Sequence, residues 1–191
     1  MLISNDFEVA QPVAKVWEFF GDIPRVAACL PGAQLTENLG DDKYGGRVAV
    51  RMGPVRLQFA GAAEITERDE AGKRIVVHAA GADERGRGQA SMVVTAALTP
   101  SGSGTKIAVT QDLQLAGAAA QYGRGMISDV TAVLMRDFSA NMASQIAAAE
   151  RGETVQAAAA PAGGLAIGLR AALMALRRVF RRFFVPYQAT S

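Results

Sequence analysis

The 191-residue chain has very few of the residues from which metal sites and covalent sites are built. Its one cysteine, Cys29, excludes an internal disulfide and a cysteine-rich zinc site. Its one histidine, His78, excludes a paired-histidine metal site and disfavours a Ser-His or Cys-His catalytic machine. We therefore expect no metal and no covalently bound cofactor, and we expect His78 to be a structural or surface residue.

Aromatic residues and excess charge are also scarce. Aromatics make up 6% of the chain, and a formal net charge of only +2 gives no support for nucleic-acid binding. The charge is unevenly distributed, because residues 1–153 hold 15 Lys and Arg against 18 Asp and Glu, whereas residues 154–191 hold five Arg and no acid. An acidic body with a basic, apolar tail favours contact with an anionic membrane.

The hydropathy pattern predicts one α+β domain over residues 1–151. Residues 1–11 alternate as a half-buried strand does, and the helical spacing after Pro12 predicts two short helices. Residues 33–115 form six alternating segments separated by turn residues, which predicts an antiparallel meander. Over residues 117–151, apolar side chains recur at three- and four-residue steps, which predicts one long amphipathic helix.

This order of elements predicts a helix-grip, a curved seven-stranded antiparallel sheet wrapped around a long C-terminal helix. Seven strands cannot close on themselves, so the helix must cross the concave face to bury its apolar stripe. The space between them is a candidate ligand cavity, because its Ala, Val and Met side chains leave room. The alternative is that the same side chains fill a solid core. The predicted cavity wall is Leu30, Val48, Val50, Met52, Leu57, Phe59, Met92, Val94, Leu113, Leu115, Tyr122, Met126, Ile127, Val130, Leu134 and Phe138.

Two further segments are predicted after the body. Residues 152–164 are rich in Ala, Gly and Pro and predict a flexible linker, and residues 165–187 predict a basic amphipathic helix. Spanning a bilayer would place Arg177 and Arg178 in hydrocarbon at about 2.5–3.5 kcal/mol each, so a helix lying in the membrane interface is favoured. The alternatives are that this helix packs on a partner protein or on the body of the same chain. The predicted membrane-binding residues are Leu169, Arg170, Leu173, Leu176, Arg177, Arg178, Phe180, Arg181, Arg182, Phe183 and Phe184.

Other polar or reactive features are predicted to have ordinary structural roles. Cys29 should be a small buried apolar side chain, and the charged turn at residues 83–88 should be solvated. Arg47, Arg51 and Arg56 share an outward face of adjacent predicted strands, where solvation is favoured over an acidic partner.

Three local strings resemble the START/Bet v1-like (SRPBCC) superfamily: Pro12-Val13-Ala14-Lys15-Val16-Trp17, Leu30-Pro31-Gly32-Ala33 and Gln121-Tyr122-Gly123-Arg124-Gly125-Met126-Ile127. Within it, residues 1–151 resemble the CoxG family of carbon monoxide dehydrogenase subunits. The resemblance implies a membrane-associated accessory protein that holds a quinone non-covalently. It also implies a link between a molybdenum CO dehydrogenase, or a related hydroxylase, and the respiratory chain. Tyr122 or Gln121 could donate a hydrogen bond to a quinone carbonyl, although an ordinary exposed helix start is the alternative.

The leading hypothesis is a non-catalytic carrier of a lipophilic small molecule, either menaquinone or ubiquinone. We expect it on the cytoplasmic face of the cell membrane, because the first residues carry neither the basic region nor the apolar run of a targeting signal. One alternative is a recruitment or assembly factor for the dehydrogenase with a solid core. Another is a cyclase or hydrolase, which is disfavoured because the strand alternation places Glu8, Glu64 and Asp112 outward.

Overall fold

A computed structural model describes residues 1–152 of the chain. The predicted linker beyond Gly152 and the predicted membrane helix at residues 165–187 lie outside the described residues. The described part holds, in chain order, β1 (Leu2–Val9), α1 (Val13–Gly21), α2 (Ile23–Cys29), β2 (Ala33–Gly40), β3 (Lys43–Met52), β4 (Val55–Asp69), β5 (Arg74–Asp83), β6 (Gly88–Ser101), β7 (Gly104–Gly117), a 3₁₀ turn (Ala118–Gln121) and α3 (Arg124–Glu150).

The seven strands form one antiparallel sheet in the order β1-β7-β6-β5-β4-β3-β2. Strands β2 to β7 are a meander, and β1 pairs with β7 at the far edge, which confirms the predicted architecture. Residues that pair directly across two strands point to the same face of the sheet. The register therefore shows which side chains face the helix and which face outward.

The two short helices begin and end close to their predicted bounds. Pro12 stands at the N-cap position of α1, where its missing N–H costs no helical hydrogen bond. Asp22 caps α2, and its carboxylate accepts a hydrogen bond from the Arg25 backbone N–H at 3.1 Å. Helix α1 buries Val16, Trp17, Phe19 and Phe20, so it supplies the bulkiest part of the core.

The long helix α3 begins at Arg124, later than the predicted start at residue 117. Gly117 adopts a left-handed backbone with φ of 71°, and a 3₁₀ turn follows before Gly123 caps the helix. The 27 residues of α3 extend about 40 Å. The helix contacts the sheet at β1 and at β3, on opposite sides of the concave face. The helix therefore bridges the concavity.

The buried stripe of α3 is wider toward its C-terminal end than the sequence pattern predicts. Gln145, which the pattern places off the stripe, is buried at 6% exposure. The reason is that α2 packs on this part of α3, and the Arg25 guanidinium donates to the Gln145 carbonyl oxygen at 3.5 Å.

The buried apolar side chains form two separate clusters. The packed cluster lies where α1 and α2 meet α3, and consists of Val9, Val16, Trp17, Phe19, Phe20, Cys29, Ile75, Ala96, Leu98, Ile107, Val109, Phe138, Met142 and Ile146, with Phe7, Val13, Val26, Leu30, Ile65, Val77, Val94, Met135 and Ala143 packed against them. The open cluster lies toward the start of α3, and consists of Ile3, Met52, Leu57, Ala119 and Ile127, with Met1, Val50, Val55, Phe59, Leu113, Leu115, Tyr122 and Val130 against them.

Candidate ligand site

The inner face of the sheet has a row of very small residues across its middle strands. Gly46 pairs with Gly61, Gly61 with Gly81, and Gly81 with Ala90. A Cβ added at Gly61 would lie 2.0 Å from the Ala80 carbonyl oxygen, so the backbones approach too closely there for any side chain. This row removes side-chain volume from the concave face below α3.

A set of five residues separates the two clusters, and we call it the middle belt: Asn5, Met92, Gln111, Thr131 and Leu134. Four of them, Asn5, Gln111, Thr131 and Leu134, lie between members of the two clusters along their own elements. Met92 lies next to Val94 of the packed cluster on the inward face of β6 and belongs to neither cluster. On β1, for example, Asn5 stands between Ile3 of the open cluster and Phe7 at the packed cluster. The centre of the interior therefore carries three polar side chains, those of Asn5, Gln111 and Thr131, between two apolar ends.

The open cluster is incompletely covered although its sheet residues face inward. Val50, Phe59, Leu113 and Leu115 are only half-buried, and so is Val130 on α3. Met92 also keeps accessible surface, although its strand is flanked by β5 and β7 on both sides. An inward-facing side chain on a central strand can be accessible only if α3 leaves space beneath it.

Most of the predicted cavity wall is found in the open cluster. This cluster holds Val50, Met52, Leu57, Phe59, Leu113, Leu115, Tyr122, Ile127 and Val130. Met92 and Leu134 lie in the middle belt, and Val48 faces inward on β3 opposite Phe59.

Four predicted wall residues lie elsewhere. Leu30, Val94 and Phe138 belong to the packed cluster, where the Phe138 ring meets the Phe7 ring edge to face at 6.1 Å. Met126 is 43% exposed and belongs to neither cluster. For Phe138 the helical stripe cannot make this distinction, because one face of α3 passes over both clusters.

The polar residues of the belt are absent from the predicted wall. Gln111 is 7% exposed and Thr131 is 9% exposed, and the Thr131 hydroxyl donates to the Ile127 carbonyl oxygen at 2.9 Å. A signal was present in the sequence, since Asn5 and Gln111 occupy inward positions in largely apolar alternations. A polar residue at an inward-facing position of a largely apolar strand is informative, because polar residues are seldom buried without a specific role.

The charged turn at residues 83–88 is exposed at Glu84, Arg85 and Gly86, as predicted, but Asp83 departs from the prediction of a solvated turn. The Asp83 side chain is buried, and its carboxylate accepts backbone hydrogen bonds from Gln58, Arg85 and Arg87 at 3.0 to 3.3 Å. The Arg87 guanidinium donates to both Asp83 oxygens at 2.9 Å. These bonds hold the pKa of Asp83 well below its usual range. The carboxylate is fully engaged and is a poor general base.

Tyr122 and its neighbours lie where the 3₁₀ turn leads into α3. Tyr122 is half-buried against the open cluster, whereas Gln121 and Arg124 are exposed. Of the two suggested hydrogen-bond donors, the structure therefore brings Tyr122 toward the interior and leaves Gln121 in solvent. Donation to a ligand stays a prediction for Tyr122.

Cys29 is a fully buried member of the packed cluster, as predicted. Burial raises the pKa of its thiol to about 11. A thiol with such a pKa is not a nucleophile near neutral pH.

The outer face of the sheet has a shallow groove of about 380 Å³. Its walls include the exposed His78, the small side chains of Ala80 and Ser91, and the Lys43–Glu64 ion pair at 3.0 Å. Glu64 therefore faces outward, as predicted. Arg47, on the same face, pairs with Glu84 at 2.9 Å.

Within residues 1–152, no three His, Cys, Asp or Glu side chains lie close enough together to hold a metal ion. In the same part of the chain, no helix has both the length and the hydropathy needed to cross a membrane.

The curved sheet, the crossing helix and the interior between them define a helix-grip protein of the SRPBCC, Bet v1-like class. The chain belongs to the CoxG family of carbon monoxide dehydrogenase subunits, whose model matches residues 6–147. The predicted family and fold class are thereby confirmed. A comparison with curated protein sequences returned no significant match.

Solved structures share the fold at low sequence identity. A conserved protein from Geobacillus kaustophilus is 23% identical with a TM-score of 0.69, and the match covers 77% of this chain and 95% of that one. The Zhui aromatase/cyclase from Streptomyces sp. R1128 is 16% identical with a TM-score of 0.57, over 84% of this chain and 99% of that one. A protein from Thermus thermophilus is 14% identical with a TM-score of 0.54, over 76% of this chain and 99% of that one.

Proposed function

We propose that this chain is a non-catalytic carrier of a lipophilic small molecule, and that a respiratory quinone, menaquinone or ubiquinone, is its ligand. The supporting observation is the open cluster, whose inward-facing apolar side chains stay half-buried beneath α3. An apolar interior with accessible surface and a few polar groups is typical of small-molecule sites. The quinone would supply the redox chemistry, while the protein would supply solubility and orientation.

The family supports a partner of the CO dehydrogenase type, which we take to be a molybdenum hydroxylase. The five Arg and the Leu and Phe residues of residues 165–187 support a second contact with an anionic membrane. The carrier would then work at the inner face of the cell membrane, where a quinone can exchange with the bilayer.

The ligand is tested by native mass spectrometry of the full-length protein from its own host, followed by organic extraction. We expect a bound quinone, and we expect it to be lost in Val130→Trp or Leu134→Trp, since each indole would fill the space beneath α3. The matched control is Val133→Trp on the same helix, because Val133 is 45% exposed. A wild-type protein that carries no quinone, and takes up none when one is offered, would overturn the carrier proposal.

The membrane contact is tested by co-sedimentation of the full-length protein with vesicles. Binding should require anionic lipid, weaken as salt is raised, and be lost when Arg177, Arg178, Arg181 and Arg182 are changed to Gln. Binding that persists in the four-fold variant would exclude the proposed electrostatic contact.

A second candidate function is a recruitment or assembly factor for the dehydrogenase that holds no ligand. The outer groove favours it, because Val93 is 37% exposed beside the small side chains of Ala80 and Ser91. A protein that is free of ligand and still binds its dehydrogenase would support this function. Loss of that binding in Val93→Asp would place the contact on the outer face.

A cyclase or hydrolase activity is the third alternative. The fold is shared with an aromatase/cyclase. The buried carboxylate of Asp83 is a poor general base for such a reaction, because it is engaged by Arg87 and by backbone amides.

A further inference from the structure

Two side-chain amide nitrogens at the centre of the interior, one on the half-buried Asn5 and one on the buried Gln111, are themselves buried and lack hydrogen-bond partners. Among the buried side-chain polar atoms of residues 1–152, two lack a hydrogen-bond partner, and both are amide nitrogens: Asn5 Nδ2 and Gln111 Nε2. Gln111 is itself 7% exposed. Buried polar groups almost always have a hydrogen-bond partner in folded proteins. Two unpartnered amide nitrogens within one small region therefore require an explanation.

The sheet register brings the two amides to one place. Ile3 pairs with Gln111 and Asn5 pairs with Val109, so Asn5 and Gln111 are diagonal neighbours on β1 and β7. Both face inward, as do the buried residues two positions away, Ile3 and Val109. Diagonal neighbours are within reach of one another across an antiparallel pair. One small acceptor atom beneath α3 could therefore receive hydrogen bonds from both.

No other residue of the middle belt satisfies these two amides. Thr131, the buried hydroxyl of α3 in the same belt, already donates to the Ile127 carbonyl oxygen. The neighbouring belt residues, Met92 and Leu134, carry no hydrogen-bonding group that could satisfy an amide N–H well. On one side of the amides lies the half-buried apolar surface of the open cluster.

This arrangement selects a class of ligand. A side-chain amide is neutral and offers two N–H donors, so it suits an uncharged oxygen acceptor better than an anion. The apolar walls beside it require that the rest of the ligand be lipophilic. A carbonyl oxygen on an apolar ring, as in a quinone, meets both requirements.

We propose that the Asn5 and Gln111 amides are the polar recognition point of the interior, and that they donate hydrogen bonds to a carbonyl oxygen of the bound lipophilic molecule. The inference rests on the proposed carrier function and adds the groups that orient the ligand. It also explains why two polar side chains occupy inward positions in apolar strands, at a cost to the stability of the empty protein.

The test compares two probes of one shape, menadione and 2-methylnaphthalene, which differ by the two carbonyl groups. Their affinities for the full-length protein are measured by equilibrium dialysis. We expect wild type to prefer menadione. We expect Gln111→Met and Asn5→Leu each to weaken menadione binding by about five- to tenfold, while binding of 2-methylnaphthalene is kept or improved.

The matched control is Gln114→Met, the same substitution on the exposed outer face of β7. It should leave the affinities for both probes unchanged. A second readout is the carbonyl stretching band of bound menadione in the infrared. This band should shift to lower frequency in wild type, and the shift should be lost in the double variant.

Folding provides a separate check, because an amide that held the structure together would lower the melting temperature when replaced. We expect Gln111→Met to leave the Tm of the ligand-free protein unchanged or raised. A lowered Tm with unaltered menadione affinity would overturn the inference.

The two proposals fail in different ways. If wild type and Gln111→Met bind menadione equally well, the recognition point is wrong and the carrier function stands. If wild type binds neither probe, the carrier function itself fails, and the inference fails with it.

Discussion

The two apolar clusters of the body differ in how completely they bury their side chains. The packed cluster holds five aromatic residues, of which Trp17, Phe19, Phe20 and Phe138 are buried and Phe7 is half-buried. The open cluster has two aromatic residues, Phe59 and Tyr122, and both are half-buried. Since α1 and α2 cover only the packed end, the same sheet and the same helix produce a solid core at one end and unfilled surface at the other. The stability of the body therefore depends chiefly on the packed end, and a ligand can be accommodated at the open end.

The strongest test of this difference makes the same substitution at both ends. Phe138→Ala should lower the free energy of unfolding by about 3–5 kcal/mol, because it opens a cavity in a closed core. Phe59→Ala should cost only about 1–2 kcal/mol, because much of its ring is already accessible. Urea denaturation of both variants measures the two values. Equal losses would show that the open cluster is as tightly packed as the other.

Asp83 pairs with Phe59 of the open cluster in the sheet register, so its buried carboxylate provides a test of the open end through pH. Its native pKa lies below that of the unfolded chain, so its contribution to stability is full above about pH 4, the ordinary Asp range, and is lost as the pH falls toward the native pKa. In urea denaturation across pH 3 to 7, Asp83→Asn should lower stability at neutral pH and flatten its decline in acid.

The control for that experiment is Asp41→Asn, on an exposed turn where the backbone φ of 48° suits Asn as well as Asp. It should leave the pH profile unchanged. A decline in acid that is as steep in Asp83→Asn as in wild type would show that the β5–β6 turn does not depend on this carboxylate.

Cys29 reports on the packed end. With a thiol pKa of about 11, roughly one molecule in a thousand carries the thiolate at pH 8. Labelling by a disulfide reagent should therefore be at least about a hundredfold slower in the native protein than in guanidinium. Reaction at the unfolded rate in native buffer would mean that the packed end opens readily.

The smallest effect is expected on the outer face of the sheet. Lys43→Ala removes an ion pair with Glu64 in which both side chains are nearly half-exposed. Such pairs contribute about 0–1 kcal/mol, so thermal unfolding should change little. A loss comparable to that of Phe138→Ala would show that the outer face contributes to stability as much as the interior does.

Much of the fold could be predicted because it follows from local periodicity. The alternation in the strands and the stripe of α3 are local properties, and Asp22 sits in sequence where a helix cap is needed. The division of the interior could not be predicted in the same way. Phe138 and Val130 share one helical stripe, yet α2 reaches only the part of α3 near Phe138.

The Asp83 turn shows the same limit at the level of one residue. Its alternating charges are typical of a solvated loop, and burial of the carboxylate depends on Gln58 from a neighbouring strand. The strand alternation alone could have predicted that Asn5 and Gln111 are polar residues at inward-facing positions. Their adjacency could not be predicted in this way, because it depends on pairing between strands about a hundred residues apart in the chain.

Within residues 1–152, local spacing in the amino-acid sequence was thus sufficient to predict the seven strands, the three helices, their order and the inward phase of the strands, but not the start of α3 or the burial of its Gln145. The pairing of β1 with β7, the placement of α2 on α3 and the approach of Gly61 to the Ala80 backbone were decided by tertiary contacts. Those contacts determine where side chains meet and where space is left. The physical reason is that a periodic pattern encodes which way a side chain points, whereas burial depends on what the rest of the chain places opposite it.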